Sequence, residues 1–131
     1  MKTFVDACVL IAAVQGQEAV ARRALELLDD PNREFVVSDF LRLEVIPKPT
    51  FNKRNDQVEF YEAFFQSAGS NIEASSRISS EAIRLACHYD LHPIDALHVS
   101  TATTSGVEEF ITLEKEGKPL SRVKELRVIS L

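Results

Sequence analysis

Glycine is scarce in this chain. Its four residues never fall into G-x-G-x-x-G or G-x-x-x-x-G-K-[ST], so no phosphate-cradling loop for a dinucleotide or nucleoside triphosphate is supported. Cysteine is scarcer still: Cys8 and Cys87 stand far apart with no C-x-x-C pairing. That excludes a zinc knuckle and a disulfide framework, and leaves two small core residues as the expectation. No apolar run approaches the about 20 residues that span a bilayer. The opening Met1-Lys2-Thr3-Phe4-Val5 enters a strand-like run instead of a signal-peptide core, so a cytoplasmic protein without membrane attachment is expected. A surplus of positive charge is also lacking. The net charge of -5 argues against holding nucleic acid by bulk electrostatics, which works through Lys and Arg neutralising phosphates. The balance reverses locally, where Lys115, Lys118, Arg122, Lys124 and Arg127 face only Glu116 and Glu125. A solvated basic segment accounts for that stretch at least as well as a binding one.

What is present is an ordinary globular composition, 45% hydrophobic and 27% charged over 131 residues, which suits one domain spanning 1–131. Thr3-Phe4-Val5 reads as a buried strand ending at Asp6, and the apolar stretch Ala7 to Val14 as a helix. Val20, Ala24, Leu27 and Leu28 recur at helical spacing before the turn Asp30-Pro31-Asn32. A second strand, Glu34 to Val37, leads to Ser38 as the N-cap of a helix carrying Phe40, Leu41, Val45 and Ile46, which Pro47 and Pro49 should end. Asp56 to Ser67 is a further helix. Its stripe of Phe60, Tyr61, Phe64 and Phe65 suits core packing, with a homodimer face or a partner-binding face as the alternative. After an extended piece at Asn71 to Glu73, Ser75 or Ser76 caps a helix bearing Ile78, Ala82, Leu85, Ala86 and Tyr89. Pro93 starts another that runs to Thr103 and stops at Gly106. Glu109 to Thr112 and Leu126 to Ile129 complete the strands. Strands alternating with helices require crossovers and hence a parallel sheet, so a three-layer α/β/α sandwich around four or five strands is expected.

In such sheets ligands gather beyond the carboxyl ends of the strands, which singles out acids placed just after them. Asp6 is one, although capping the following helix explains it equally. Glu44 interrupts an apolar segment, where it can reach solvent, pair with Arg42 or Lys48, or serve a site. Asp95 lies in the first turn of the Pro93 helix, where the macrodipole favours a carboxylate. A histidine triad of His92, Asp95 and His98 is disfavoured, because at about 100° per residue the two histidines point roughly 120° apart. His98 is better suited to packing or hydrogen bonding, and His88 and His92 to the surface.

The segments Phe4-Val5-Asp6, Ser38-Asp39-Phe40-Leu41-Arg42-Leu43-Glu44, Asp95-Ala96-Leu97-His98-Val99-Ser100-Thr101-Ala102 and Phe110-Ile111-Thr112-Leu113-Glu114 together resemble a PIN domain. The resemblance covers nearly the whole chain, and Asp-Ala-Leu-His is its most specific piece. It implies a magnesium- or manganese-dependent ribonuclease, resembling the small VapC-like toxins that pair with an antitoxin protein. By motif, Asp6, Glu44 and Asp95 match three metal-binding acids of that family. The fourth departs from the usual Thr-x-Asp: here Thr112-Leu113-Glu114 offers a glutamate one methylene longer, with Glu116 as a substitute. Hard oxygen donors suit magnesium or manganese. Ser38 and Thr112 are candidates for positioning ligands or phosphate, with capping and strand-end packing as their plainer roles. Two other functions compete. One is a degenerate PIN domain that binds RNA or a protein without cutting. The other is a receiver-like phosphotransfer domain using Asp6, which lacks the expected paired acids after the first strand.

Overall fold

The computed structural model describes all of residues 1–131. Five strands, β1 (Lys2–Val5), β2 (Glu34–Ser38), β3 (Ser70–Ile72), β4 (Glu109–Thr112) and β5 (Arg127–Ser130), form one sheet in the order β3-β2-β1-β4-β5. Every neighbouring pair is parallel. Seven α-helices supply the crossovers: α1 (Ala7–Gln15), α2 (Glu18–Leu28), α3 (Asp39–Val45), α4 (Pro47–Phe51), α5 (Asn55–Ser67), α6 (Ser76–Tyr89) and α7 (Pro93–Thr104). Right-handed crossovers put α1 to α5 on one face and α6 with α7 on the other. The packing agrees, since α1 touches α2, α3 and α5, while the main partner of α6 is α7. The α/β/α expectation is met with five strands.

The central strands are apolar because both of their faces are covered. Phe4, Val5, Phe110 and Ile111 are all 0% exposed, and the Phe4 and Phe110 rings stack with centroids 5.3 Å apart across the β1–β4 pair. On the edges, β3 and β5 carry half-buried and exposed residues. The aromatic stripe of α5 also turns inward: Tyr61, Phe64 and Phe65 are buried and Phe60 packs against the core. Self-association through those rings would expose the core.

Three sequence expectations change. Pro47 and Pro49 do not end helical structure but help build α4, which follows α3 after Ile46 alone. Pro47 stands in the first turn, where its missing N–H costs nothing and its fixed φ suits a helix. A short 3-10 helix at Pro119–Arg122, unforeseen in the sequence, buries Leu120 within the basic segment. Cys87 is exposed on α6 and not a core residue, because the buried stripe of that helix runs through Ile78, Ala82 and Leu85.

Ser38 is fully buried and its hydroxyl accepts a hydrogen bond from the Leu41 N–H at 3.1 Å, capping α3. Ser38→Ala should lower unfolding free energy by about 1 kcal/mol, the usual cost of losing a cap. Urea denaturation measures it, with an unchanged slope showing that the compactness of both states is kept.

Candidate functional site

The sheet order reverses at β1: the chain moves outward through β2 and β3, then returns to place β4 on the other side. Crossovers to opposite faces leave a crevice at such a switch point, beyond the carboxyl ends of the strands. Val5 pairs with Ile111 in that register, so the residues that follow each strand emerge side by side. Asp6 follows β1, and Thr112 closes β4.

Asp6 is 8% exposed and held at three atoms. Its N–H donates to the Ile111 carbonyl at 2.8 Å, extending the ladder by one residue. Its Oδ1 accepts from the Ala7 N–H at 2.9 Å, so the capping role is present. Its Oδ2 accepts from the Thr112 hydroxyl at 3.0 Å. The same hydroxyl oxygen accepts the Glu114 N–H at 3.0 Å, and thus ties Asp6 to the turn after β4. Capping and site geometry therefore occur together at Asp6.

Cys8 belongs to this support. Its thiol lies 3.6 Å from both Asp6 Oδ2 and Thr112 Oγ1, and its sulfur accepts the Leu113 N–H at 3.3 Å. Burial pushes the thiol up to about 11, and the neighbouring Asp6 charge adds to the rise. The group therefore stays protonated and able to donate.

Glu44 reaches the crevice from α3 and pairs with neither Arg42 nor Lys48. Arg42 instead makes two contacts of 3.0 Å to the Glu62 carboxylate and lies over the Phe65 ring at 4.4 Å. Glu44 Oε1 meets the Nε2 of His98, an α7 residue that is 0% exposed and packs on Phe4 with ring centroids 5.3 Å apart. Nε2 donates to the carboxylate, and the buried Nδ1 has no partner. Asp6, Glu44 and His98 each bring a donor atom within 4.8 Å of the other two.

Asp95 is half-buried, three residues before His98 on α7 and so on the same helix face. Burial, then the charges of Asp6, Glu114 and Glu44, push its carboxyl from the ordinary 3.8 up to about 6, with His98 pulling the other way. The three other acids singled out in the sequence thus all act on Asp95. The tight group is Asp6 and Glu44 with His98; Asp95 and Glu114 stand around it. Glu116 lies exposed in the following turn and is not among the charges acting on Asp95. His92 and His88 are exposed, as expected. What the sequence left unassigned is the partnership of His98 with Glu44. The spacing of Asp95 and His98 on one face was the available signal.

A parallel sheet with an acidic crevice at its switch point defines a class of α/β domain built to gather carboxylates. The chain belongs to the PIN family: the model described as PIN domain matches residues 3–126. No curated protein matches the chain in sequence. Among solved structures it is similar to VapBC2 from Rickettsia felis bound to a DNA fragment from the promoter, at TM-score 0.74 and 14% identity, covering 100% of this chain and 99% of that one. A toxin–antitoxin complex from Klebsiella pneumoniae matches at 0.70 and 21%, covering 98% and 96%. DNA-bound VapBC from Salmonella typhimurium matches at 0.69 and 12%, covering 99% and 98%. At these identities the likeness concerns the fold.

The two cysteines should separate cleanly on alkylation. At pH 8, iodoacetamide should modify exposed Cys87 first and leave Cys8 intact until unfolding, because the nucleophile is the thiolate. Peptide mass mapping reads the order; early labelling of Cys8 would contradict its burial.

Proposed function

We propose that this protein is a divalent-metal-dependent ribonuclease, with Asp6, Glu44, Asp95 and Glu114 as its acidic residues and a protein antitoxin as its partner. The observation that carries the proposal is the crowding of carboxylates at the switch point, where the charges of Asp6, Glu114 and Glu44 all bear on Asp95 and His98 opposes them. A like-charge pair at about 4 Å costs on the order of 4 kcal/mol at an intermediate effective dielectric, a penalty that a divalent cation removes.

The donor set fits such an ion. Two carboxylates within 4.8 Å of each other, with a further carboxyl beside them and His98 Nε2 engaged by Glu44, offer hard oxygen ligands suited to magnesium or manganese. A bound cation supplies Lewis acidity and charge neutralisation for in-line attack of water on a phosphodiester. The chain's own contribution is placement. Thr112, Cys8 and the Ala7 N–H fix the Asp6 carboxylate. His98 holds one oxygen of Glu44 and leaves the other free to bind the ion or to orient the attacking water. Asp95, as a carboxylate, would be a further ligand for such an ion. Glu114, half-buried and tethered through its N–H to Thr112, completes the site. Family membership and the toxin–antitoxin complexes among the structural neighbours support the reading of RNA as substrate and an antitoxin as partner.

Asp6→Asn and Asp95→Asn should each cut metal-stimulated RNA cleavage by more than about a hundredfold, since even groups behind metal ligands are worth tenfold to a hundredfold. Asparagine caps helices as well as aspartate, so thermal unfolding of Asp6→Asn should stay near that of the parent. Undiminished cleavage in both variants would sink the assignment. A parent protein that is stabilised by manganese yet cuts no RNA would assign it to the binding-only form of the family.

The raised Asp95 carboxyl also sets a pH dependence. Its folded value, about 6, lies above the unfolded 3.8, so ionisation costs the metal-free fold stability above about pH 6, and that cost fades as pH falls toward 4. A cation that needs the carboxylate reverses the preference. The thermal shift produced by manganese should therefore be large at pH 8 and shrink as pH drops through about 6. A shift independent of pH across that window would remove Asp95 from the ligands.

A further inference from the structure

The chain leaves β4 at the acidic centre, passes through the 3-10 helix at Pro119–Arg122 and enters β5 at the rim of the sheet. This is the basic segment of the sequence, and Lys115, Lys118, Arg122, Lys124 and Arg127 are all exposed. Five of the 15 Lys and Arg residues therefore lie between Lys115 and Arg127, in a protein of net charge -5. The segment is pinned to the domain. Leu120 and Val123 anchor it in the core. Glu125 accepts from the Tyr89 hydroxyl at 2.6 Å and from Arg84 at 2.8 Å, both on α6, and the Lys124 N–H donates to the same tyrosine oxygen at 3.3 Å. Arg84 thereby neutralises one of the two acids of the segment, and only the exposed Glu116 is left against its cations. A merely solvated basic loop needs none of this anchoring.

The strand it feeds is an open edge, since β5 pairs with β4 alone. The Leu131 N–H donates to the Thr112 carbonyl at 2.8 Å, so by alternation Arg127 and Ile129 also turn toward β4, while Val128 and Ser130 present their N–H and C=O groups outward. Val128 and Ile129 lie on opposite faces of the sheet, and each packs on the core yet stays half-buried. Outward backbone groups flanked by incompletely covered apolar side chains are what strand addition uses, the main chain supplying affinity and the alternate side chains specificity. We propose that β5 is a docking edge for an extended acidic segment of another protein, which adds a sixth strand beside Val128 and Ser130 and sets its carboxylates against the cations of the basic segment, Lys124 and Arg127 foremost. Charge complementarity chooses this occupant. A second copy would bring the same positive segment to the edge, where cations keep like strands apart. Nucleic acid would meet the cations and leave the outward backbone groups unpaired. The opposite edge, β3, is followed by Glu73 and has no cation beside it, so it does not complement an acidic strand. The proposal goes beyond the ribonuclease reading and does not depend on it.

The test uses the full chain in EDTA. The probe is a fluorescein-labelled synthetic peptide of alternating valine and threonine with glutamates at both ends, and the control is the same peptide ended in lysines. Anisotropy reads affinity, and amide chemical shifts of the isotope-labelled protein read position. The glutamate peptide should bind, move the Val128 and Ser130 amides and weaken as salt rises, while the lysine peptide should not bind. Lys124→Glu/Arg127→Glu should weaken the glutamate peptide roughly tenfold or more and turn the preference toward lysine. Lys48→Gln, on α4, should change nothing. Val128→Pro removes an outward N–H without touching the β4 ladder, a change that edge strands tolerate, so it should abolish binding with thermal unfolding near that of the parent. Binding that survives Val128→Pro would reduce the surface to plain charge and overturn strand addition. Absence of binding by the parent, or equal binding of both peptides, would overturn the edge altogether. Displacement of the glutamate peptide by single-stranded RNA would give the surface to nucleic acid, and a dimer of the parent that Val128→Pro dissolves would give it to a second copy; either result defeats the proposal.

Discussion

The pairing of Val5 with Ile111 in two fully buried parallel strands is the constraint on which the rest of the molecule hangs. Because β1 and β4 point the same way and β1 is central, their carboxyl ends open together at the reversal of strand order. Asp6 extends β1 by one hydrogen bond to Ile111, and Thr112 finishes β4 within reach of it. A slip of register by one residue would turn Phe4 and Phe110 out of the core and carry Asp6 away from Thr112. The hydrophobic effect that aligns the strands therefore also aligns the acids.

The crevice runs against ordinary stability. Charges of one sign are brought toward each other in partly buried surroundings, and Asp95 bears the result as a carboxyl displaced upward to about 6. A threonine hydroxyl and a thiol kept protonated by burial fix Asp6 without neutralising it, and an imidazole packed on Phe4 holds Glu44. Such an arrangement leaves the charge of the acids in place. By contrast, Arg33 and Arg84 quench acids elsewhere, at 2.7 Å from Glu109 and 2.8 Å from Glu125. Pairing with arginine is available to this chain and is withheld at the switch point.

Much of the fold was legible because its signals are local. Alternating short apolar runs and helical stripes, Ser38 and Ser75 as caps, and Pro93 at a helix start all act within a few residues, and each stands where the sequence places it. The helix after Ile46 was hidden because proline reads as a terminator in sequence and as an initiator in structure, depending on whether it falls in the first turn. Cys87 was misassigned because two cysteines carry no periodicity of their own. Its exposure is decided by the helix phase that its neighbours impose.

For the site, the sequence by itself determined which carboxylates end strands or open helices, since that depends on runs of a few residues. Asp6 and Asp95 were visible on those terms, and Glu44 and Glu114 through the family resemblance. Only the tertiary structure decided that Glu44 faces His98 instead of Arg42 or Lys48, that Thr112 and Cys8 support Asp6, and that Glu114 acts on Asp95 while Glu116 stays in solvent. Those pairings join residues as many as 106 positions apart. They arise when hydrophobic burial brings distant strand ends together, and no local preference of the chain encodes such a distance.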